Sequence, residues 1–138
     1  MIPIYRHRLD VRFRDCDPMG HANNAVYLTY LEQARFAHWR EAWGLDVERL
    51  PADTPGVILA RVEIDYRVPA KYGDVLEIRI GLEHIGRTSF TYVYEVIGQN
   101  GELVATARSV QVLYDYTAGK SVAISDELRA KLGAPQAP

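Results

Sequence analysis

The chain has 138 residues and a formal net charge of −2, with 48% hydrophobic and 25% charged residues, which is typical of one globular domain. The low net charge argues against a nucleic-acid-binding protein, and the single cysteine, Cys16, excludes an internal disulfide and a paired-cysteine metal or redox motif. No apolar stretch has the length of a signal-peptide core or of a membrane span, so we expect one cytoplasmic domain over residues 1–138 without membrane association.

The first predicted element is a strand over residues 5–13. Apolar and polar side chains alternate through this segment, which is the pattern of a strand with one buried face. The alternation ends in the following loop, where Pro18 and Gly20 interrupt regular structure. A loop with unusual polar content therefore connects this strand to the next element.

A long helix is predicted from about Asn24 to Trp43. Asn23 or Asn24 is suited to its N-cap, and Gly44 stands where a glycine commonly ends a helix. The apolar residues of this helix spread over most of its circumference rather than along one stripe. A helix of this kind is normally enclosed on more than one side, so we expect a sheet to wrap around it.

Four further strands follow, each predicted from period-two alternation. They are Ala60–Val68, Leu76–Leu82, Phe90–Val96 and Glu102–Tyr114. Between the last two, Asn100-Gly101 predicts a two-residue hairpin turn, because both residues tolerate positive φ. Ser125 is suited to cap a short final helix that ends before Gly133, and residues 134–138 are expected to form a flexible tail.

The order of these elements predicts the fold class. One strand, one long helix and four consecutive strands pack most simply as an antiparallel sheet of about five strands rolled around the helix. Both apolar surfaces are then buried in a single contact. We therefore expect an α+β fold with one central helix.

The polar residues suited to chemistry concentrate in the loop before the long helix. They are Asp15, Asp17, His21, Asn23 and Asn24. Free N–H groups and the positive end of the helix dipole point at this loop. A developing oxyanion is stabilised in such a place, where removing one donor costs roughly 3–4 kcal/mol of barrier. A carboxylate in the loop can attack a carbonyl or activate water beside it.

Structural alternatives exist for several of these residues. Asp17 before Pro18 can simply start a turn, and Asp15 can be solvated or ion-paired. Cys16 is either a small core residue or a thiol nucleophile activated by His21. Glu32 is a surface residue, a partner for the arginine three positions later, or a second buried carboxylate. No group of His, Asp and Glu residues has metal-ligand spacing, and no metal or cofactor is expected.

The segment Val11–Leu28 carries an Asp-x-Asp-Pro-x-Gly motif followed by a tyrosine near the helix start. Its matching residues are Asp15, Asp17, Pro18, Gly20 and Tyr27. This segment strongly resembles the 4-hydroxybenzoyl-CoA thioesterase-like family of hotdog proteins. Val68–Ile78 and Gly86–Phe90 match that family's second and third recurring elements. The resemblance therefore covers about residues 8–125.

This resemblance implies a hotdog-fold homodimer or homotetramer that hydrolyses an acyl-CoA, or an acyl carrier protein thioester, at sites in the subunit interface. It places the catalytic carboxylate on Asp17, as nucleophile or as general base on water. Backbone N–H groups around Asn24 polarise the thioester carbonyl, and His21 is a loop hydrogen-bonding residue or a polar group that faces the thioester. The substrate-binding residues that it implies are Tyr27, Arg87, Thr88 and Ser89. An arginine suits the phosphates of CoA.

One departure from the family bears on the substrate. Aryl-CoA members often carry bulky aromatic residues just before the helix, whereas this chain has His21-Ala22-Asn23-Asn24. That stretch resembles the fatty acyl branches, so we expect a medium or long acyl chain. Two alternatives stay open. One is a hotdog enoyl-CoA hydratase, although its histidine usually follows the aspartate by five residues and His21 follows Asp17 by four. The other is a non-catalytic acyl-CoA-binding module.

Overall fold

The computed structural model of the protein describes residues 1–45 and 55–136. Its strands are β1 (Tyr5–Asp10), β2 (Gly56–Tyr66), β3 (Val75–Ile85), β4 (Ser89–Ile97), β5 (Leu103–Asp115) and β6 (Lys120–Ser121). Its helices are α1 (Val26–Trp43) and α2 (Asp126–Gly133), and a 3-10 turn spans Phe13–Asp15. Residues 137 and 138 of the expected tail lie outside the described residues. Neither described helix has the length and apolar composition that a membrane crossing requires.

The strands form one antiparallel sheet in the order β1-β3-β4-β5-β2, and β6 pairs with the end of β5. Helix α1 packs on one face of this sheet. Trp39 of the helix meets the ring of Phe90 at 6.3 Å, and the side chains of Arg35 and His38 bond to tyrosines of β4. The expectation of an antiparallel sheet around one long helix is confirmed. The short strand β6 was not expected.

The start of α1 differs from the prediction. The helix begins at Val26 with Ala25 as N-cap, so Asn23 or Asn24 as N-cap is wrong. The reason is a turn before the helix, in which the Asn23 side chain accepts a hydrogen bond from the Ala25 N–H at 2.9 Å. Asn23 also accepts from the Val26 N–H through its own carbonyl, at 3.0 Å. At the other end, Gly44 has the expected left-handed conformation, with φ +71°.

The bounds of β1 and β2 and the β4–β5 turn also differ from the prediction. β2 spans Gly56–Tyr66 rather than Ala60–Val68. β1 stops at Asp10 instead of residue 13, because the chain turns there and the Asp15 carboxylate accepts a hydrogen bond from the Arg12 N–H. In the β4–β5 connection only Gly101 of the predicted pair has positive φ, at +85°. Its N–H bonds to the carbonyl of Gly98, so this turn is longer than the predicted two-residue hairpin.

Helix α2 is capped as expected. The Ser125 hydroxyl accepts a hydrogen bond from the Leu128 N–H at 3.1 Å, which satisfies one free donor of the first turn. Gly133 is the last residue of the helix rather than the first residue beyond it, and Ala134 is the C-cap. Leu128 and Leu132 are the buried residues of this helix, so two apolar side chains fix it against the rest of the molecule.

The two edge strands of the sheet, β1 and β2, differ in the hydrogen bonds on their outer sides. The side-chain amide of Gln136 pairs with the main chain of Arg6 in β1, accepting from its N–H at 2.9 Å and donating to its carbonyl at 3.3 Å. On the opposite edge, no described residue bonds to the outer side of β2. β2 has 11 residues and includes the exposed Leu59 and Tyr66. Only one of the two edges therefore has a cap on its open main chain.

A polar group is buried between α1 and the sheet. His38, which is 1% exposed, bonds through Nδ1 to the Tyr92 hydroxyl at 2.8 Å. Since that hydroxyl also accepts from the Trp39 indole N–H at 2.9 Å, its own proton is available to His38. The other ring nitrogen of His38 has no partner among the described residues. Burial lowers the pKa of His38 to about 4.

This histidine predicts a stability loss in mild acid. The unfolded chain binds a proton at His38 with a pKa of about 6.5, whereas the folded chain resists protonation until about pH 4. The free energy of unfolding should be highest above pH 6.5 and lose about 3 kcal/mol as the pH falls to 4. Denaturant unfolding of the wild type and of His38→Gln across this pH range measures the contribution of His38 to the free energy of unfolding. The free energy of unfolding of the variant should change less with pH than that of the wild type. An equal pH dependence in both proteins would rule out His38 as the titrating group.

Candidate active site

The loop between β1 and α1 is a narrow hairpin closed by main-chain hydrogen bonds. The Asn23 N–H donates to the Asp15 carbonyl at 2.8 Å, and the Asp17 N–H donates to the His21 carbonyl at 2.9 Å. The Ala22 N–H donates to the carbonyl of Ala70 at 2.8 Å, which fastens the loop to the segment before β3. The position of each polar residue in the loop is therefore set by the backbone rather than by solvent.

Asp17 occupies the first position of a tight turn over residues 17–20. The Gly20 N–H donates to the Asp17 carbonyl at 2.9 Å, and Gly20 has φ +83°, which only glycine adopts easily. Pro18 in the second position fits such a turn. The Asp17 side chain accepts from the Met19 N–H through Oδ1, at 2.9 Å. This contact orients the carboxylate, and its other oxygen has no hydrogen-bond partner among the described residues.

One main-chain donor just before α1 is free among the residues that the structure describes. Among the described residues, the Asn24 N–H has no acceptor, since the turn before the helix uses the N–H groups of Ala25 and Val26. The Asn24 carbonyl accepts from the Tyr66 hydroxyl at 2.7 Å, which ties this point to the end of β2. An unused N–H at a helix start is suited to bind a developing oxyanion.

Four of the predicted site residues line one cleft of about 290 Å³. They are Asp17, His21, Asn24 and Tyr27. Tyr27 is 3% exposed and forms part of the inner wall, and its hydroxyl accepts from the Ala70 N–H at 3.3 Å. The loop, the helix start and the end of β2 therefore meet around a single space.

The cleft also contains residues that the sequence did not single out. Tyr66 and Arg67 line it from the end of β2, and Tyr66 packs edge-to-face on Tyr27 with ring centroids 5.2 Å apart. The alternation of β2 suggested an inward-facing Tyr66, but this side chain is 50% exposed. No local pattern in the sequence shows that the end of β2 lies at the same end of the sheet as the loop.

Asp15 lies outside the cleft and is ion-paired, which is one of the two structural roles predicted for it. It is 4% exposed, and its carboxylate contacts the Arg12 guanidinium at 2.9 Å and accepts from the Tyr30 hydroxyl at 2.8 Å. Burial works to raise the pKa of Asp15. The hydrogen bonds from Arg12 and Tyr30 outweigh burial and hold that pKa below its ordinary value.

Two other candidates are also separate from the cleft. The Cys16 thiol donates weakly to the Arg12 carbonyl at 3.7 Å and packs beside the core, so the structure does not bring it to His21 in the cleft. Glu32 is exposed on α1, which agrees with the first of its predicted alternatives, a surface residue. Within residues 1–45 and 55–136, no three His, Cys, Asp or Glu side chains lie together as metal ligands.

The predicted substrate-binding segment Arg87–Ser89 lies at the other end of the sheet. It forms the β3–β4 turn, whereas the cleft adjoins the start of β3. β3 has 11 residues, and at roughly 3.3 Å per residue it separates its two ends by about 30 Å. The turn is held by the Ile124 N–H, which donates to the Arg87 carbonyl at 2.8 Å, and Arg87 itself is exposed. The structure of one chain therefore does not bring this segment to Asp17.

Comparison with known proteins identifies relatives over nearly the whole chain. The profile of the thioesterase-like superfamily matches residues 11–132. The chain is 31% identical over 127 residues to the long-chain acyl-CoA thioesterase FadM of Escherichia coli K12, covering 91% of this chain and 94% of that protein. It is 33% identical over 110 residues to a 1,4-dihydroxy-2-naphthoyl-CoA hydrolase of Synechococcus elongatus, covering 78% and 79%.

Solved structures agree with these relatives. A thioesterase from Thermus thermophilus, complexed with coenzyme A and Zn, has 32% identity and a TM-score of 0.79, covering 94% of this chain and 91% of that chain. A 1,4-dihydroxy-2-naphthoyl-CoA thioesterase from Synechocystis shares the fold at 18% identity, with a TM-score of 0.83 over 93% and 94% of the two chains. The expected hotdog fold of the α+β class is confirmed.

Proposed function

The chain belongs to the thioesterase-like superfamily, a family of hydrolases, and on that premise we propose that it hydrolyses acyl-CoA to a free acid and CoA. The observation that carries the proposal is that Asp17 and Asn24 line one cleft. The Asn24 N–H, just before the helix, has no acceptor among the described residues. The Asp17 carboxylate supplies the attack on a carbonyl, and the Asn24 N–H receives the charge that the attack creates.

Asp17 drives the chemistry in one of two ways. As a nucleophile its free oxygen adds to the thioester carbon, the carbon–sulfur bond breaks, CoA leaves as the thiolate, and water then hydrolyses the mixed anhydride. As a general base it takes a proton from water, the resulting hydroxide adds to the same carbon, the carbon–sulfur bond breaks, and the departing CoA thiolate takes up that proton. Both routes place negative charge on the carbonyl oxygen beside the Asn24 N–H. His21 lines the cleft as a polar contact for the thioester.

We assign a medium- or long-chain fatty acyl group to the substrate. The cleft wall combines the aromatic rings of Tyr27 and Tyr66 with Val68 and Pro69, which suits an alkyl chain. Support also comes from the long-chain acyl-CoA thioesterase of E. coli, although the naphthoyl-CoA hydrolase is a relative of similar identity. Coenzyme A or acyl carrier protein is the thiol carrier. A cytoplasmic location suits a CoA ester as substrate.

We further propose that the active unit is a homodimer, alone or as half of a homotetramer. A cleft of about 290 Å³ lies just below the range of roughly 300–1,000 Å³ that encloses small ligands. One chain therefore holds the reacting centre but leaves much of an acyl-CoA uncovered. The open edge of β2, beside Tyr66 and Arg67 of the cleft, is the place where a second chain can complete the sheet and the site.

The strand directions explain how the second chain contributes. β2 and β3 run in opposite directions, so the cleft lies at the start of β3 and the Arg87–Ser89 turn lies at the end of the sheet where β2 begins. An antiparallel pairing of two β2 strands reverses the sheet across the interface. The partner's turn then lies at the same end as Asp17, where the cationic Arg87 suits the phosphates of CoA.

A thiol-release assay across acyl-CoA esters of increasing chain length tests this function. We expect turnover of straight-chain esters, with the highest kcat/KM among medium and long chains, and a lower value for 4-hydroxybenzoyl-CoA. Acyl carrier protein esters of the same chains identify the carrier. Binding of several esters without hydrolysis would support a binding module instead. Hydration of crotonyl-CoA without thiol release would support the hydratase.

A further inference from the structure

Asp15 joins three parts of the molecule through one residue. Its carboxylate accepts from the Arg12 N–H at 2.9 Å, at the end of the β1 segment. The same carboxylate accepts from the Tyr30 hydroxyl of α1 at 2.8 Å. Its main-chain carbonyl accepts from the Asn23 N–H at 2.8 Å, which closes the loop that contains Asp17. The strand, the helix and both ends of the loop therefore converge on this residue.

Neither Asp15 nor Tyr30 touches the cleft. Both line the separate groove between β1 and α1, and both are buried, with 4% and 3% of their surfaces exposed. A buried hydrogen bond to a charged carboxylate is among the stronger neutral-donor bonds in proteins. Since neither side chain lines the cleft, this bond is suited to hold the loop against the helix.

The groups that this bond connects are the two halves of the proposed reaction centre. Asp17 lies two residues after Asp15, and the Asn24 N–H lies six residues before Tyr30, in the turn that precedes α1. The separation between attacking carboxylate and oxyanion donor thus depends on how the loop is fastened to the helix. A displacement of about 1 Å between reacting groups can reduce a rate by about 10²-fold.

We propose that Asp15 and Tyr30 are positioning residues, whose hydrogen bond fixes Asp17 relative to the Asn24 N–H. The proposal rests on the proposed function of Asp17. Without this bond, residues 15–24 should also open more often, whatever the reaction is. The loop can therefore be tested separately from the reaction.

The test compares Tyr30→Phe with Tyr94→Phe. Tyr94 is the control, because it is also a buried tyrosine, 1% exposed, whose hydroxyl bonds to a charged side chain, Arg35 at 3.3 Å, and to Ser109 at 2.5 Å, without any contact to the loop. In Tyr30→Phe we expect hydrogen exchange in residues 15–24 to become at least about tenfold faster. We also expect kcat to fall by about 10- to 100-fold, with KM within about twofold of the wild type. Tyr94→Phe should lower Tm by a similar amount and change neither loop exchange nor kcat.

Substitutions of the carboxylate provide an independent series. Asp15→Asn keeps an oxygen that accepts from Tyr30, so it should retain more kcat than Asp15→Ala. Unchanged loop exchange in Tyr30→Phe, or equal acceleration in Tyr94→Phe, overturns the positioning role. Faster exchange with unchanged kcat also overturns it. Full turnover in Asp17→Asn would instead remove Asp17 from the reaction, while the exchange data would still decide whether Tyr30 holds the loop.

Discussion

Asp17→Asn is expected to reduce kcat for acyl-CoA hydrolysis by about 10²- to 10⁴-fold. The amide oxygen can still accept from the Met19 N–H, as Oδ1 does at 2.9 Å, so the turn should form as before. What the substitution removes is the charge and basicity of the second oxygen, which either mechanism requires. The measurement is thiol release at saturating substrate, together with the thermal midpoint of the variant.

Asp74→Asn is the matched control for this experiment. The Asp74 carboxylate also accepts a main-chain hydrogen bond in a turn, from the Lys71 N–H at 3.0 Å, but it does not line the cleft. Its kcat should stay close to that of the wild type. Retention of most activity in Asp17→Asn would show that another group attacks the thioester. After turnover in ¹⁸O-labelled water, label in the Asp17 side chain would identify it as the nucleophile.

Mixed dimers are expected to recover activity that neither parent variant has. The parents are Asp17→Asn, which lacks the carboxylate, and Arg87→Glu, which should repel the CoA phosphates from the β3–β4 turn. If each site combines Asp17 of one chain with Arg87 of its partner, a mixed dimer has one intact site. Random exchange of subunits in equal amounts should then restore about a quarter of wild-type activity.

The control mixture replaces the Arg87→Glu chain with the double variant Asp17→Asn, Arg87→Glu. No intact site can form in that mixture, so activity should stay at the background of the parents. Activity that fails to rise in the first mixture, although mass measurement detects mixed dimers, would contradict a shared site. A wild-type KM in the Arg87→Glu parent would show that the turn does not bind CoA.

Much of the architecture follows from local patterns in the sequence. Period-two alternation located β2 to β5, and Gly44 marked the end of α1 because its left-handed conformation suits glycine. The errors occur where a side chain competes for main-chain donors. The Asp15 carboxylate binds the Arg12 N–H and ends the strand early, and the Asn23 side chain takes the Ala25 N–H and delays the helix.

The sequence predicts one part of the candidate site and not the other. The Asp-Pro-x-Gly turn and the helix start adjoin each other in the chain, so their meeting was predictable from the sequence. Tyr66 and Arg67 join them only because β2 ends at the same side of the sheet, a long-range contact that no local pattern encodes. The position of Arg87 depends further on how two chains associate, and alternation within one chain carries no information about that.

The amide of Gln136 occupies main-chain groups of β1 that an added strand would need. Strand addition at an uncovered edge repeats without end when both edges of a subunit accept a neighbour, which is the route to fibrous aggregates. Here the Arg6 main chain on β1 is already hydrogen-bonded within its own chain, while β2 stays open. Among the described residues, a strand added beside Arg6 would have to displace the Gln136 amide, whereas a strand added beside β2 would displace no main-chain hydrogen bond, so we expect a second chain to pair at β2 rather than at β1.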